Sequence, residues 1–155
     1  MRAVILDEDG SALLVRFEIP RKLGVVLFWA APGGGIEDGE DDHTALAREL
    51  EEEVGLRSVE PGPLIWTRTH IFPMTAGYDG QREHFYLVQV PRFEPQPLLT
   101  AEQLRAEHVT GIRWWTPDEL APASASTLFA PSRLPELLEQ LRTIGPPPAP
   151  IDVGV

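Results

Sequence analysis

Cysteine is absent from the chain. That excludes disulfides, zinc–thiolate centres and a cysteine nucleophile. No apolar run reaches the length of a membrane span, and the opening MRAVILDEDG meets Asp7 too soon for a secretory leader. The expectation is a cytoplasmic protein with no membrane partner. Basic residues are also scarce: 13 Lys and Arg stand against 24 Asp and Glu, a formal net charge of −11. That balance argues against a broad nucleic-acid surface. It leaves room for a phosphate-bearing small molecule wherever a cation reverses the local field. What the chain does have is apolar residues, 43% of 155, enough for one compact core.

Hydrophobic patterning and turn residues suggest the elements. Ala3–Leu6 and Ala12–Val15 read as strands joined by the turn Asp7–Gly10, and Val25–Trp29 reads as a third strand after a loop over Pro20–Gly24. Three glycines follow Pro32. Asp41 or Asp42 can cap a helix running to Val54, with Gly55 as its stop. Leu64–Phe72 and His84–Val90 look like strands flanking a loop over Pro73–Gly80. Pro91–Gly111 has no steady period and reads as a long functional loop. Ile112–Trp115 resumes a strand, Thr116–Glu119 starts a short helix, and Leu134, Leu137, Leu138 and Leu141 fall at helical spacing. The fold class is α/β or α+β, with one domain over 1–144 and a flexible Pro-rich tail over 145–155.

The acid is concentrated. Glu37 to Glu53 holds nine carboxylates and one arginine. At about 100° per residue, Glu49, Glu52 and Glu53 share one flank of the helix, while Leu46, Ala47, Leu50 and Val54 form the adjoining buried stripe. Glu51 points away. Arg48 can pair with a carboxylate and fix its rotamer. Three carboxylates beside a glycine loop form an oxygen-only site suited to Mg²⁺ or Mn²⁺. Glu40-Asp41 follows Gly39 where a phosphate-cradling loop needs Lys and then Ser or Thr, so the loop alone does not bind phosphate.

The 23 residues from Gly34 to Leu56 resemble the Nudix box. Its pattern is Gly, five residues, Glu, seven residues, then Arg-Glu-apolar-any-Glu-Glu-any-Gly-apolar, and every fixed position matches. The resemblance implies a Nudix sandwich, a mixed twisted sheet flanked by helices. It also implies hydrolysis of a nucleoside diphosphate derivative with Mg²⁺ or Mn²⁺. By residue match, Glu49, Glu52 and Glu53 are the metal ligands, a backbone carbonyl near Gly34 assists, and Arg48 with Glu40 is the orienting pair. Some members place a base in the loop preceding the last strand, where this chain has Glu102 and Glu107. A metal-bound carboxylate is a poor base, so a loop residue suits the role better. Glu107 is the choice because it lies nearer the strand at Ile112.

Phe72 and Tyr78 are candidates to stack a base, and Arg68 and Arg82, which flank the Pro73 loop, to reach phosphate. The alternative for both arginines is an ordinary place on the surface. Trp114 and Trp115 read as packing residues. Substrate candidates span nucleotide sugars, ADP-ribose, nucleoside triphosphates and dinucleotide polyphosphates. A nucleotide-sensing module and an RNA 5′-end pyrophosphohydrolase are the alternatives, and a homodimer stays open.

Overall fold

The computed structural model describes residues 1–74 and 77–154, with the side chains of 71–79 outside that description. The chain folds as α+β, in the order β1 (Arg2–Leu6), β2 (Ala12–Arg21), β3 (Gly24–Ala30), α1 (Asp42–Val54), β4 (Leu64–Met74), β5 (Gly77–Gln89), α2 (Ala101–Ala106), β6 (Val109–Trp115), α3 (Pro117–Ala123), β7 (Phe129–Ala130), α4 (Leu134–Ile144) and β8 (Ile151–Asp152). The strands form one mixed sheet in the order β7-β3-β2-β1-β5-β4-β8, with β6 on β2. β1 lies parallel to β5 and antiparallel to β2.

Alternation along the strands builds two cores. Val4, Leu6, Leu14, Phe85 and Leu87 pack with Leu134, Leu137, Leu138 and Leu141 of α4. Ala3, Ile5, Leu13, Val15 and Val88 pack on the other side with Leu46, Leu50 and Val54 of α1. Burying a leucine such as Leu50 contributes about 2 kcal/mol. The box helix is therefore held rigidly against the sheet. Among the described residues no helix is long and apolar enough to cross a membrane.

Four expectations change. The loop over Pro20–Gly24 contracts to Lys22–Leu23, because Pro20 and Arg21 find partners in Val25 and Gly24. Of the loop expected over Pro73–Gly80, residues 73–74 and 77–80 are strand, since β4 and β5 stay in register as far as Met74 and Gly77, and residues 75–76 lie outside the described residues. Pro91–Gly111 is not a featureless loop. Its centre is α2, started by a reciprocal capping box between Thr100 and Gln103. The tail expected to be flexible lays β8 beside Trp66–Thr67, and Val153 N–H donates to the Thr67 carbonyl at 2.9 Å. The outer edge of β4 offers the backbone groups that this short strand satisfies.

Candidate active site

Asp41 caps α1 by accepting the Thr44 N–H at 2.8 Å. Gly55 ends it at φ 74°, a left-handed conformation that suits glycine. Gly55 N–H already donates to the Glu51 carbonyl, and the segment before α2 adds to the last turn: Gln96, Leu98 and Leu99 donate to the carbonyls of Val54, Glu51 and Glu52. These bonds seat the 91–111 segment on the end of α1. Leu104 of α2 is buried against the same core. Glu107, the residue after α2, is thereby carried back to the acidic flank.

The result is a carboxylate cluster. Glu49, Glu53 and Glu107 each offer an oxygen, and these oxygens lie within 4.8 Å of one another. Glu53 is only 2% exposed, Glu49 is 7% exposed, and Glu107 is exposed. Burial pushes the Glu53 carboxyl up to about 7; a hydrogen bond from Gly33 N–H at 2.9 Å and the charge of Arg2 oppose this, while Glu49 and Glu107 add to it. Burial likewise raises Glu49, against the pull of Arg48. Two buried carboxylates driven upward by desolvation and by neighbouring carboxylates are the electrostatic signature of a site suited to a cation. The donor set is all oxygen, which fits a hard divalent ion.

Arg48 knits the flank to the loop. Its Nε and Nη2 each donate to Glu40 at 2.9 Å, Nη2 also reaches the Gly35 carbonyl at 3.0 Å, and Nη1 donates to Glu49 at 3.0 Å and Glu52 at 3.3 Å. The hydrogen bond from Arg48 holds the Glu40 carboxyl below its ordinary range. The pairing of Glu40 with Arg48 expected from the box is present as a two-pronged contact.

Other candidates fall differently. Glu52 lies on the predicted flank but outside the close cluster, ion-paired to Arg48. On the helix wheel it sits farther than Glu53 from the buried stripe, which explains its greater exposure. Glu51 points away, toward Arg57 at 3.3 Å. The Gly34 carbonyl, expected to assist a metal, accepts from the Met1 ammonium at 2.7 Å. Gly34 itself is needed where it stands, because a Cβ there would collide with the Glu49 carboxylate. The side chains of Phe72 and Tyr78 lie outside the described residues. Arg82 is exposed and stands one residue out of phase with the cavity-facing Gln81 and Glu83.

Next to the glycine loop is a cavity of about 540 Å³ that the sequence reading missed. Phe17 and Phe28 stack in its wall, centroids 5.4 Å apart, with the Arg2 guanidinium 5.5 Å over Phe17. Glu83, 6% exposed, accepts from Arg2 Nε at 3.0 Å and Arg68 Nη1 at 2.9 Å. Burial raises the Glu83 carboxyl, but the two guanidiniums outweigh this and hold it below its ordinary range. Arg68 is thus no surface arginine. Arg2 Nη1 also reaches the Gly33 carbonyl at 3.1 Å, tying the cavity to the loop. The sequence carries no local signal for this trio, since Arg2 and Glu83 meet only through the pairing of β1 with β5. Trp114 and Trp115 are buried, as packing residues should be.

These features define an α+β sandwich built around one loop–helix unit that gathers buried carboxylates, with a cavity tied to its glycine loop through Arg2. The family model described as NUDIX domain matches residues 1–137, and the chain belongs to that family. It is 41% identical over 68 residues to an RNA pyrophosphohydrolase of Sulfurovum sp., covering 40% of this chain and 43% of that protein. It is 34% identical over 85 residues to the nucleoside triphosphatase NudI of Escherichia fergusonii, covering 54% and 59%. The chain thus spans about half the length of these relatives. A MutT NUDIX hydrolase from Burkholderia pseudomallei shares the fold, with a TM-score of 0.59 and 24% identity over 90% of this chain and 97% of that one.

Proposed function

We propose that the protein hydrolyses the diphosphate linkage of a nucleoside diphosphate derivative, with Mg²⁺ as the natural ion and Mn²⁺ as a substitute. The observation that carries this is the convergence of Glu49, Glu53 and Glu107 beside the glycine loop. Family membership and relatives named as pyrophosphohydrolase and nucleoside triphosphatase support it. Glu49 and Glu53 would hold the ion, with Glu52 at the rim. When bound, the ion neutralises the diphosphate and acidifies a water molecule.

The chain's own residues supply the rest. Arg48, clamped by Glu40, keeps the Glu49 side chain in the rotamer that faces the cluster. Gly33 N–H fixes the Glu53 carboxylate from behind. Glu107, exposed and carried on the helix-bearing segment, accepts the proton as water attacks phosphorus. The bridging P–O bond then breaks, and its oxygen leaves with one of the two phosphate groups.

The test is phosphate release across nucleoside triphosphates, nucleotide sugars, ADP-ribose, dinucleotide polyphosphates and triphosphorylated RNA, with Mg²⁺, Mn²⁺ or excess chelator. Turnover of at least one class that vanishes in chelator is expected, and undiminished turnover in chelator refutes the reading. Glu107→Gln against Glu102→Gln tests the base. Loss of about a hundredfold in kcat at position 107 alone is expected. Near-normal kcat for Glu107→Gln returns the base to the box.

A further inference from the structure

We propose that Glu83 is a specificity-determining residue that reads the guanine edge: two adjacent N–H donors beside a carbonyl. The proposal rests on the hydrolytic reading above, since it names the base of that reaction's substrate. The cavity borders the reacting site. Ala30 lines its wall, and Gly34 follows four residues later, a path of at most about 14 Å. A base lodged in the cavity therefore leaves its diphosphate within reach of the carboxylate cluster.

The cavity suits a flat heterocycle. Phe17 and Phe28 present aromatic surface on which a base can stack, and such stacking accepts any base. Selection must come from polar groups in the wall, and the chief one is a buried anion. The two guanidiniums keep Glu83 ionised, so it is an acceptor only. A carboxylate has about four lone-pair positions, and the bonds from Arg2 and Arg68 occupy two. Alongside it, Arg68 Nε–H is buried and has no hydrogen-bond acceptor among the described residues. The wall thus combines spare acceptor capacity at Glu83 with two flanking guanidiniums, Arg2 and Arg68, whose positive charge favours a carbonyl beside them.

Guanine matches that pattern. Its N1–H and 2-amino group can donate in parallel to the carboxylate, and its O6 faces the arginine side of the wall. Adenine would turn the N1 lone pair toward the anion. Uracil offers a single N–H between two carbonyls, and cytosine a single amino donor beside an acceptor nitrogen. Hypoxanthine differs from guanine only by lacking the 2-amino group, which makes it the diagnostic analogue. A site built around a buried polar group discriminates strongly against a ligand that leaves it unpaired.

The experiment compares kcat/KM of the wild-type protein for GTP, ITP, ATP and UTP in Mg²⁺, and measures the affinities of GMP and IMP by calorimetry. GTP is expected to exceed ITP by at least about tenfold and ATP by at least about a hundredfold. Glu83→Gln, which replaces one acceptor oxygen with a donor, should bring GTP and ITP to within about threefold. A wild-type GTP-to-ITP ratio below about tenfold overturns the proposal, whatever the variant does. An unchanged ratio in folded Glu83→Gln overturns it as well. If no triphosphate is hydrolysed, the hydrolytic reading is decided separately by the other diphosphate classes, and the GMP-to-IMP affinity ratio decides base selection by the same threshold.

Discussion

Arg48 grips Glu40 with two parallel hydrogen bonds of 2.9 Å, from Nε and Nη2. The pair spans the glycine loop and the box helix, so it sets the distance between them. Lysine carries the charge but not the planar fork. Arg48→Lys and Glu40→Gln are each expected to lower kcat about tenfold while KM changes little, because the pair positions Glu49 without touching substrate. Steady-state kinetics alongside thermal melts check this. A pure rise in KM would place the pair in substrate binding instead.

The Glu53 carboxyl makes stability depend on pH in an unusual direction. Its value in the folded protein is about 7, against an ordinary 4.5, so between those limits the folded state holds a proton that the unfolded state has lost. The associated stability is present in full below about pH 4.5 and is lost as pH rises through 7, a change of up to about 3 kcal/mol. Urea melts in chelator should show that decline. Mg²⁺ should flatten it by binding the deprotonated site, and Glu53→Gln should abolish it.

Gly34→Ala probes the closest approach of the loop to the helix. The added methyl group meets the Glu49 carboxylate, which must swing out of the cluster. Mn²⁺ affinity, read by electron paramagnetic resonance, should fall by about tenfold or more. Gly35→Ala, where a Cβ meets nothing within 4 Å, should leave it unchanged.

Legibility followed the range of the interactions. The box helix was readable to its caps, Asp41 and Gly55, because capping and amphipathic period are local properties. The wheel separated Glu51 from Glu53 for the same reason. The place of Glu107 in the cluster was legible from its closeness to the strand that anchors it. The capping box of α2 was also local and was overlooked, since Thr100 and Gln103 lie in a segment with no apolar period. By contrast, Glu83 meets Arg2 and Arg68 only after β1 and β4 have paired with β5. No window of sequence contains that trio. The strand at Ile151–Asp152 was hidden in the same way, because it depends on the free edge of β4.

The central claim is that the buried carboxylates of α1 carry out the hydrolysis, and the most direct measurement is kcat for Glu53→Gln against Glu51→Gln, in saturating Mg²⁺ with the best substrate. Both changes remove one charge from the same helix turn, but Glu53 is buried in the cluster and Glu51 faces Arg57. Glu53→Gln should lose at least about a hundredfold while remaining folded, and Glu51→Gln should stay within about twofold of wild type. Equal losses at the two positions, or full activity in Glu53→Gln, would contradict the account.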